Sequence, residues 1–195
     1  MTKVDLAYIG HPILRKKAFP VHSLDQPILD LIRHMKETIT AHHGLGLAAP
    51  QVGVQLAILI ACFPEKSPSG EMILGAPKAF INPKISEHSA ESWDEEEGCL
   101  SIPKIYANVR RPVSITVTYQ DEAGKTHTER LSGWPAKIVM HENDHLNGVL
   151  FIDRLESKDK KEIAHDLERL KKHYKVQNEH LKLWKVPVQG NCPTN

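Results

Sequence analysis

The 195-residue sequence predicts an α+β fold in one domain, with antiparallel β-sheets around a central helix that carries an HExxH motif and a further helix towards each end. Three observations carry this reading. Apolar residues recur at helical spacing after Asp25 and again after Ser157. Val113, Ile115, Val117 and Tyr119 alternate with polar residues, then Asp121-Glu-Ala-Gly124 turns the chain back into residues 126–131, which is a hairpin pattern. Between the hairpin and the last helix, Pro135 and Gly148 bracket a stretch with helix punctuation at both ends.

Taken in order, residues 4–9 predict a short strand, and Pro12 and Pro20 bracket an irregular opening. Asp25 is a good N-cap, with Pro27 in the first turn behind it; Ile28, Ile32, Met35 and Ile39 form the buried stripe, and Gly44 stands where a C-cap is expected. Residues 44–51 (GLGLAAPQ) are too rich in glycine to start a helix. Residues 56–60 read as a buried strand, 64–71 as a surface loop, and Phe80-Ile81 as a short strand ended by Asn82-Pro83. The last helix shows one apolar face, Ile163, Leu167, Leu170 and Tyr174, and Pro187 sets its latest end. The expected organisation is a catalytic unit at 1–155, a helical extension at 156–186 and a loose tail at 187–195.

Composition narrows the classes. Hydrophobic residues are 41% and charged residues 25%, ordinary for a chain that buries a core, and the net charge of +1 names no partner such as DNA. Cys62, Cys99 and Cys192 are widely spaced and odd in number, so neither a disulfide framework nor a zinc ribbon is expected. With no apolar leader and no apolar run long enough to span a bilayer, a cytoplasmic setting and no membrane contact are expected.

Residues 141–145 read HENDH. Histidines at i and i+4 lie one turn apart on one helix face, so His141 and His145 can reach one divalent ion. Glu142 then sits beside the ion as a general base for its water. A catalytic site needs a third protein ligand and an open position. A metzincin would place a third histidine where Phe151 stands, so that class fails. Two solutions remain on the residues alone: Glu162 or Glu168 on the last helix, as in a general zinc peptidase, or Cys99, which follows a glycine outside any periodic element. Gln51, between Pro50 and Gly53, reads as a residue of a fixed turn.

GLGLAAPQ at 44–51, EGCLS at 97–101 and HENDH at 141–145 resemble, in order and spacing, the three signature motifs of the peptide deformylases, and the resemblance runs from about Leu14 to about Leu155. It implies Cys99, His141 and His145 as metal ligands and Glu142 as general base and acid. It implies the Gln51 side chain and the Leu100 N–H as oxyanion donors, and Gly46, Leu45 and Tyr106 at the substrate. It also implies a divalent metal, Fe(2+) in cells with Zn(2+) or Ni(2+) in preparations, and the N-formyl group of the initiator methionine of nascent chains as substrate. Its apolar methionine pocket is expected near Ile138. Met140, Asn143 and Tyr106 depart from the residues the family usually carries there. Between Arg154 and Lys185, ten Lys/Arg stand against six Asp/Glu, which with such a substrate suggests contact with ribosomal RNA through Lys160, Lys161, Lys171 and Lys175.

Overall fold

The computed structural model describes residues 5–181 and 184; the tail at 187–195 and Cys192 lie outside the described residues. The fold is α+β, built on antiparallel sheets. The principal sheet has five strands in the order β1 (Gly46–Ala48), β2 (Ile58–Ala61), β5 (Lys78–His88), β8 (Ser114–Gln120) and β9 (Thr126–Ser132). Two hairpins stand apart from it, β3 (Pro64–Lys66) with β4 (Met72–Leu74), and β6 (Ser92–Cys99) with β7 (Ile102–Pro112).

Helices cover both faces of the principal sheet. Helix α1 (Gln26–Ala41) packs Ile28, Leu31, Ile32, Met35 and Ile39 against Leu47, Ile58 and Ile60. Helix α2 (Trp134–Leu146) packs Ile138, Val139 and Met140 against Ala48, Leu59, Ala61 and Phe80. Successive β2 residues therefore meet different helices, which is why that strand is apolar without interruption and buried throughout. A third cluster joins the N-terminal segment, β7 and residues 150–155, and helix α3 (Ser157–His173) lays Ile163, Leu167 and Leu170 on it. The short α4 (Lys175–Glu179) follows.

Asp25 caps α1 as its sequence position requires, accepting from the Ile28 N–H at 3.3 Å. At its C-terminus the left-handed residue is His43 (φ 52) and not Gly44, whose N–H closes on the Ile39 carbonyl at 3.0 Å. Helix α2 ends with Gly148 in that role (φ 71), followed by Val149 N–H on the Asp144 carbonyl at 3.0 Å.

Four expectations are corrected. Residues 5–8 form no strand; the segment is extended, but its partners are irregular backbone, with Ala7 N–H on the Gln51 carbonyl (2.7 Å) and Ile9 N–H on the Ser101 carbonyl (2.8 Å). Residues 64–66 are not loop but pair with β4. The strand expected to stop at Asn82-Pro83 runs to His88, because a bulge between Ile81 and Lys84 takes up the proline. Asn82 holds that bulge at φ 52 by bonding both the N–H and the carbonyl of Val21, each at 2.8 Å. Finally, Cys99 ends β6, in a hairpin whose acidic run shows no apolar alternation to betray it.

Gly148 has no room for a side chain: a Cβ there would lie 2.7 Å from the Arg15 carbonyl oxygen. Gly148→Ala should therefore lose about 1–3 kcal/mol of stability, from the left-handed backbone and the clash together, seen as a lower urea midpoint at unchanged slope.

Candidate metal centre

The hairpin turn and α2 bring Cys99, His141 and His145 together, with one ligand atom from each lying within 4.8 Å of the others. Cys99 Sγ lies 3.3 Å from His145 Nε2. His141 Nδ1 donates to Glu97 Oε2 at 2.7 Å, which leaves Nε2 as its ligating atom. Glu162 and Glu168 do not join the group; both are exposed on α3, and Glu168 pairs with Lys171 at 2.6 Å.

This set fits a divalent ion. A thiol and two imidazoles are the donors that borderline-soft divalent metals take, and three of them leave one position open. The electrostatics agree. Against the opposing effect of burial, Cys99 and Glu97 hold the proton affinity of His141 well above its ordinary value. Burial first, then the neighbouring His141, lowers the proton affinity of His145 well below its ordinary value, which favours the neutral imidazole.

Behind the histidines runs a buried charge network. Burial alone would raise the Glu97 pKa, but Arg111 and His141 bring it down to about 2. Arg111 meets Glu97 at both oxygens, Nε to Oε1 at 2.6 Å and Nη2 to Oε2 at 2.9 Å, and gives Nη1 to Asp144 Oδ2 at 2.8 Å. Arg154 closes on Asp144 from the outer side.

Glu142 faces the opposite way, towards β1. Its carboxyl is buried, its Oε2 has no hydrogen-bond partner among the described residues, and burial pushes its pKa up to about 7. Gly46 allows the approach: a Cβ there would meet Glu142 Oε1 at 2.2 Å. Gln51 is fully buried. Its Oε1 accepts from the Ala48 N–H at 2.7 Å, which turns its amide N–H₂ towards Ser101 Oγ (3.2 Å) and Cys99 Sγ (3.5 Å). Leu100 sits half-buried in the turn after Cys99.

These residues open onto one cavity of about 590 Å³, whose walls include Leu45, Gly46, Leu100, Tyr106, Trp134 and Lys137. Leu45, Gly46, Gln51, Cys99, Leu100, Tyr106, His141 and Glu142 all line it, and His145 lies behind Cys99. Tyr106 is 61% exposed at its rim, its ring across the strand pair from Gly98, where a Cβ would lie 2.5 Å from the Tyr106 ring. Sequence reasoning missed Glu97 as a histidine partner, and Arg111, Asp144 and Lys137 altogether. Two of these carried a signal: Lys137 and Asp144 are charged positions in a helix with buried residues on all sides.

Arg111→Met would leave Glu97 and Asp144 buried without their shared cation. The loss should be about 3–5 kcal/mol, measured by chemical denaturation, because an unpaired buried charge costs more than the pair contributes.

Comparison with known proteins agrees with this geometry. Residues 3–161 match the family model described as polypeptide deformylase. The chain is 42% identical over 149 residues to the peptide deformylase of Pseudothermotoga lettingae, covering 76% of this chain and 81% of that one. Among solved structures, a plant peptide deformylase superposes with a TM-score of 0.82 at 36% identity, covering 91% of this chain and 94% of that one. The peptide deformylase of Ehrlichia chaffeensis gives 0.79 at 34% identity, covering 90% and 99%. With the family model spanning most of its length and relatives of this identity matching over most of theirs, the chain belongs to the polypeptide deformylase family.

Proposed function

We propose that this protein removes the formyl group from the N-terminal formyl-methionine of newly made polypeptides, with Cys99, His141 and His145 holding a divalent ion and Glu142 moving the proton. The observation that carries the reading is the convergence of that three-donor cluster with a buried, partnerless Glu142 oxygen and an amide aimed at the same point by Ala48. A bound ion would act as a Lewis acid and make water nucleophilic at neutral pH. Glu142 Oε2 takes a proton from the water as its oxygen adds to the formyl carbon. The negative charge that develops on the formyl oxygen meets the Gln51 Nε2–H₂ and the Leu100 N–H. Glu142 then passes the proton to the nitrogen as the C–N bond breaks, giving formate and a free α-amine. A carboxyl pushed up to about 7 is suited to taking and returning a proton near neutral pH. The outer edge of β1, at Gly46, is unpaired in the principal sheet, and a substrate backbone can lie along it as an added strand between Leu45 and Tyr106.

Ferrous iron is the metal we assign in cells, with zinc or nickel able to replace it, since a site of this donor type follows availability. The division into a catalytic unit at 1–155 and a helical extension at 156–186 follows the same reading: Leu155 is the last buried core residue before α3. The setting is cytoplasmic, where nascent chains emerge; among the described residues no helix is long and apolar enough to cross a membrane.

The test is anaerobic purification with metal analysis, coupled to hydrolysis of a formyl-Met tripeptide. Glu142→Gln should keep its metal and lose about 10²–10⁴-fold in turnover; near-normal turnover in the metal-replete variant would defeat the assignment. Cys99→Ala should lose most of its metal, and a fully metallated, active Cys99→Ala protein would return the third-ligand role to Glu162 or Glu168.

A ribosome contact through α3 and α4 is the finer partner proposal, with one adjustment. Lys160 bonds the Asp153 carbonyl at 2.9 Å and Lys171 pairs with Glu168, so neither is free as expected. Lys161, Lys172 and Lys175 are exposed and carry the proposal. Reversing their charges should lower co-sedimentation with ribosomes, most of all at low salt, and leave hydrolysis of the free tripeptide unchanged. Unaltered co-sedimentation would mark the lysines as an ordinary solvated face.

A further inference from the structure

A second cavity, of about 450 Å³, lies against another face of α2. Met140, Asn143, Asp144 and Asn147, at i, i+3, i+4 and i+7, form the stripe that lines it, whereas Ile138, His141 and Glu142 line the first cavity. Lys84 from β5, Arg110 and Arg111 from β7, and Arg154 just before α3 bring four permanent positive charges to its wall, beside the His88 imidazole. Among the described residues Asp144 is the one carboxylate in that wall; Asp94, across the strand pair from Arg110, lies outside it. Arg154 meets Asp144 through Nε and Nη2, and Arg111 gives Nη1 to the same carboxylate at 2.8 Å. Asp144 raises the proton affinity of Arg154, and burial and the like charge of Arg111 work against it. Arg110 is steadied by its Nε on Ser92 Oγ at 3.0 Å. Even with Glu97, behind Arg111, set against the four cations together with Asp144, the cleft keeps an excess of two positive charges. A concave wall of one sign concentrates anions, and a guanidinium fork matches the oxygens of a phosphate.

We propose that this cleft is a binding site for a phosphate dianion, taken as the free ion or as the terminal group of a small phosphate monoester, with Arg110, Arg154 and Lys84 as the cations that receive it. The excess charge of the cleft matches that of a dianion. The cations converge on one concave space and do not run as a stripe along a strand or helix, which suits a compact anion better than the evenly spaced charges of a nucleic-acid backbone. Because the cleft lies on a different stripe of α2 from His141 and Glu142, an anion there leaves the metal cavity open. The proposal stands on this geometry and is independent of the hydrolysis assigned to that cavity.

The experiment is calorimetric titration of the metal-loaded, full-length chain with inorganic phosphate, at an ionic strength held constant with chloride. Wild type should take up phosphate at a saturable site. The double variant Lys84→Gln with Arg110→Gln, at two exposed positions, should bind it at least about tenfold more weakly, with its urea midpoint unchanged. Charge reversal at Lys161 and Lys172 on α3 should leave the affinity as it was. Glycerol phosphate and an RNA oligonucleotide with blocked ends then separate the sources. Tighter binding of glycerol phosphate than of the free ion would make the occupant a small organic phosphate, and equal affinity would make it the free ion. The RNA, which offers only diesters, should fail to displace phosphate. Equal phosphate affinity in wild type and the double variant would overturn the proposal, because the ion would then be held elsewhere, at the metal for instance. Absence of binding by wild type would overturn it too, and displacement of phosphate by the RNA would pass the cleft to a nucleic-acid backbone and end the proposal in that way.

Discussion

The three donors of the candidate metal centre come from elements that share no backbone pairing, and Arg111 is what joins them. Cys99 ends β6 in a two-stranded hairpin, while His141 and His145 lie on α2, which packs on the principal sheet. Arg111, on the partner strand β7, reaches Glu97 on β6 and Asp144 on α2 with the same guanidinium. Its planar fork suits two carboxylates in a way that an ammonium would not. Since Glu97 also receives the His141 Nδ1–H, hairpin, helix and imidazole orientation form one rigid unit. The charges are buried at a cost that would be prohibitive singly, and complete satisfaction makes the arrangement tolerable.

A second unit aims the other side of the site. Residues 5–9 make no strand, yet their backbone bonds the Gln51 and Ser101 carbonyls and so ties the two loops that carry Gln51 and Cys99. Asn178, after α3, bonds the backbone of Tyr8 in both directions, at 3.0 Å from its N–H and 3.1 Å to its carbonyl, and Tyr174 stacks on the Tyr8 ring with centroids 3.9 Å apart. The C-terminal helices thus hold the N-terminal segment in place, and both tyrosines reach the cavity wall. Precision at the reacting point depends on such remote contacts, because misplacing a donor by about 1 Å can cost on the order of a hundredfold in rate.

Small residues set how closely the two units meet. The Glu142 carboxyl lies where a Cβ on Gly46 would be, so glycine there is a condition for so close an approach of carboxyl and edge strand. The closeness also excludes water from Glu142, and that exclusion raises its proton affinity towards neutrality. Packing and proton affinity are here one feature.

The sequence by itself determined whatever depends on neighbours within a turn or two. Asp25 and Pro27 begin α1, Pro135 and Gly148 bracket α2, and the i, i+4 spacing puts His141 and His145 on one face with Glu142 beside them, because local dihedral preferences and helical periodicity act over that range. The alternation through residues 113–119 foretold β8 for the same reason. The residues alone left the third ligand open between Cys99 and two glutamates, and only the resemblance to a known family chose among them. In the tertiary structure Cys99, and neither glutamate, stands beside the two histidines, through a hairpin whose acidic strand β6 has no apolar period and whose stability comes from cross-strand and helix contacts far away in sequence. The tertiary structure likewise decided the strand that continues through Pro83, the roles of Glu97 and Arg111, and the presence of Lys137 in the cavity wall. Each of these depends on which distant groups become neighbours once water is excluded, and no local pattern of residues encodes that.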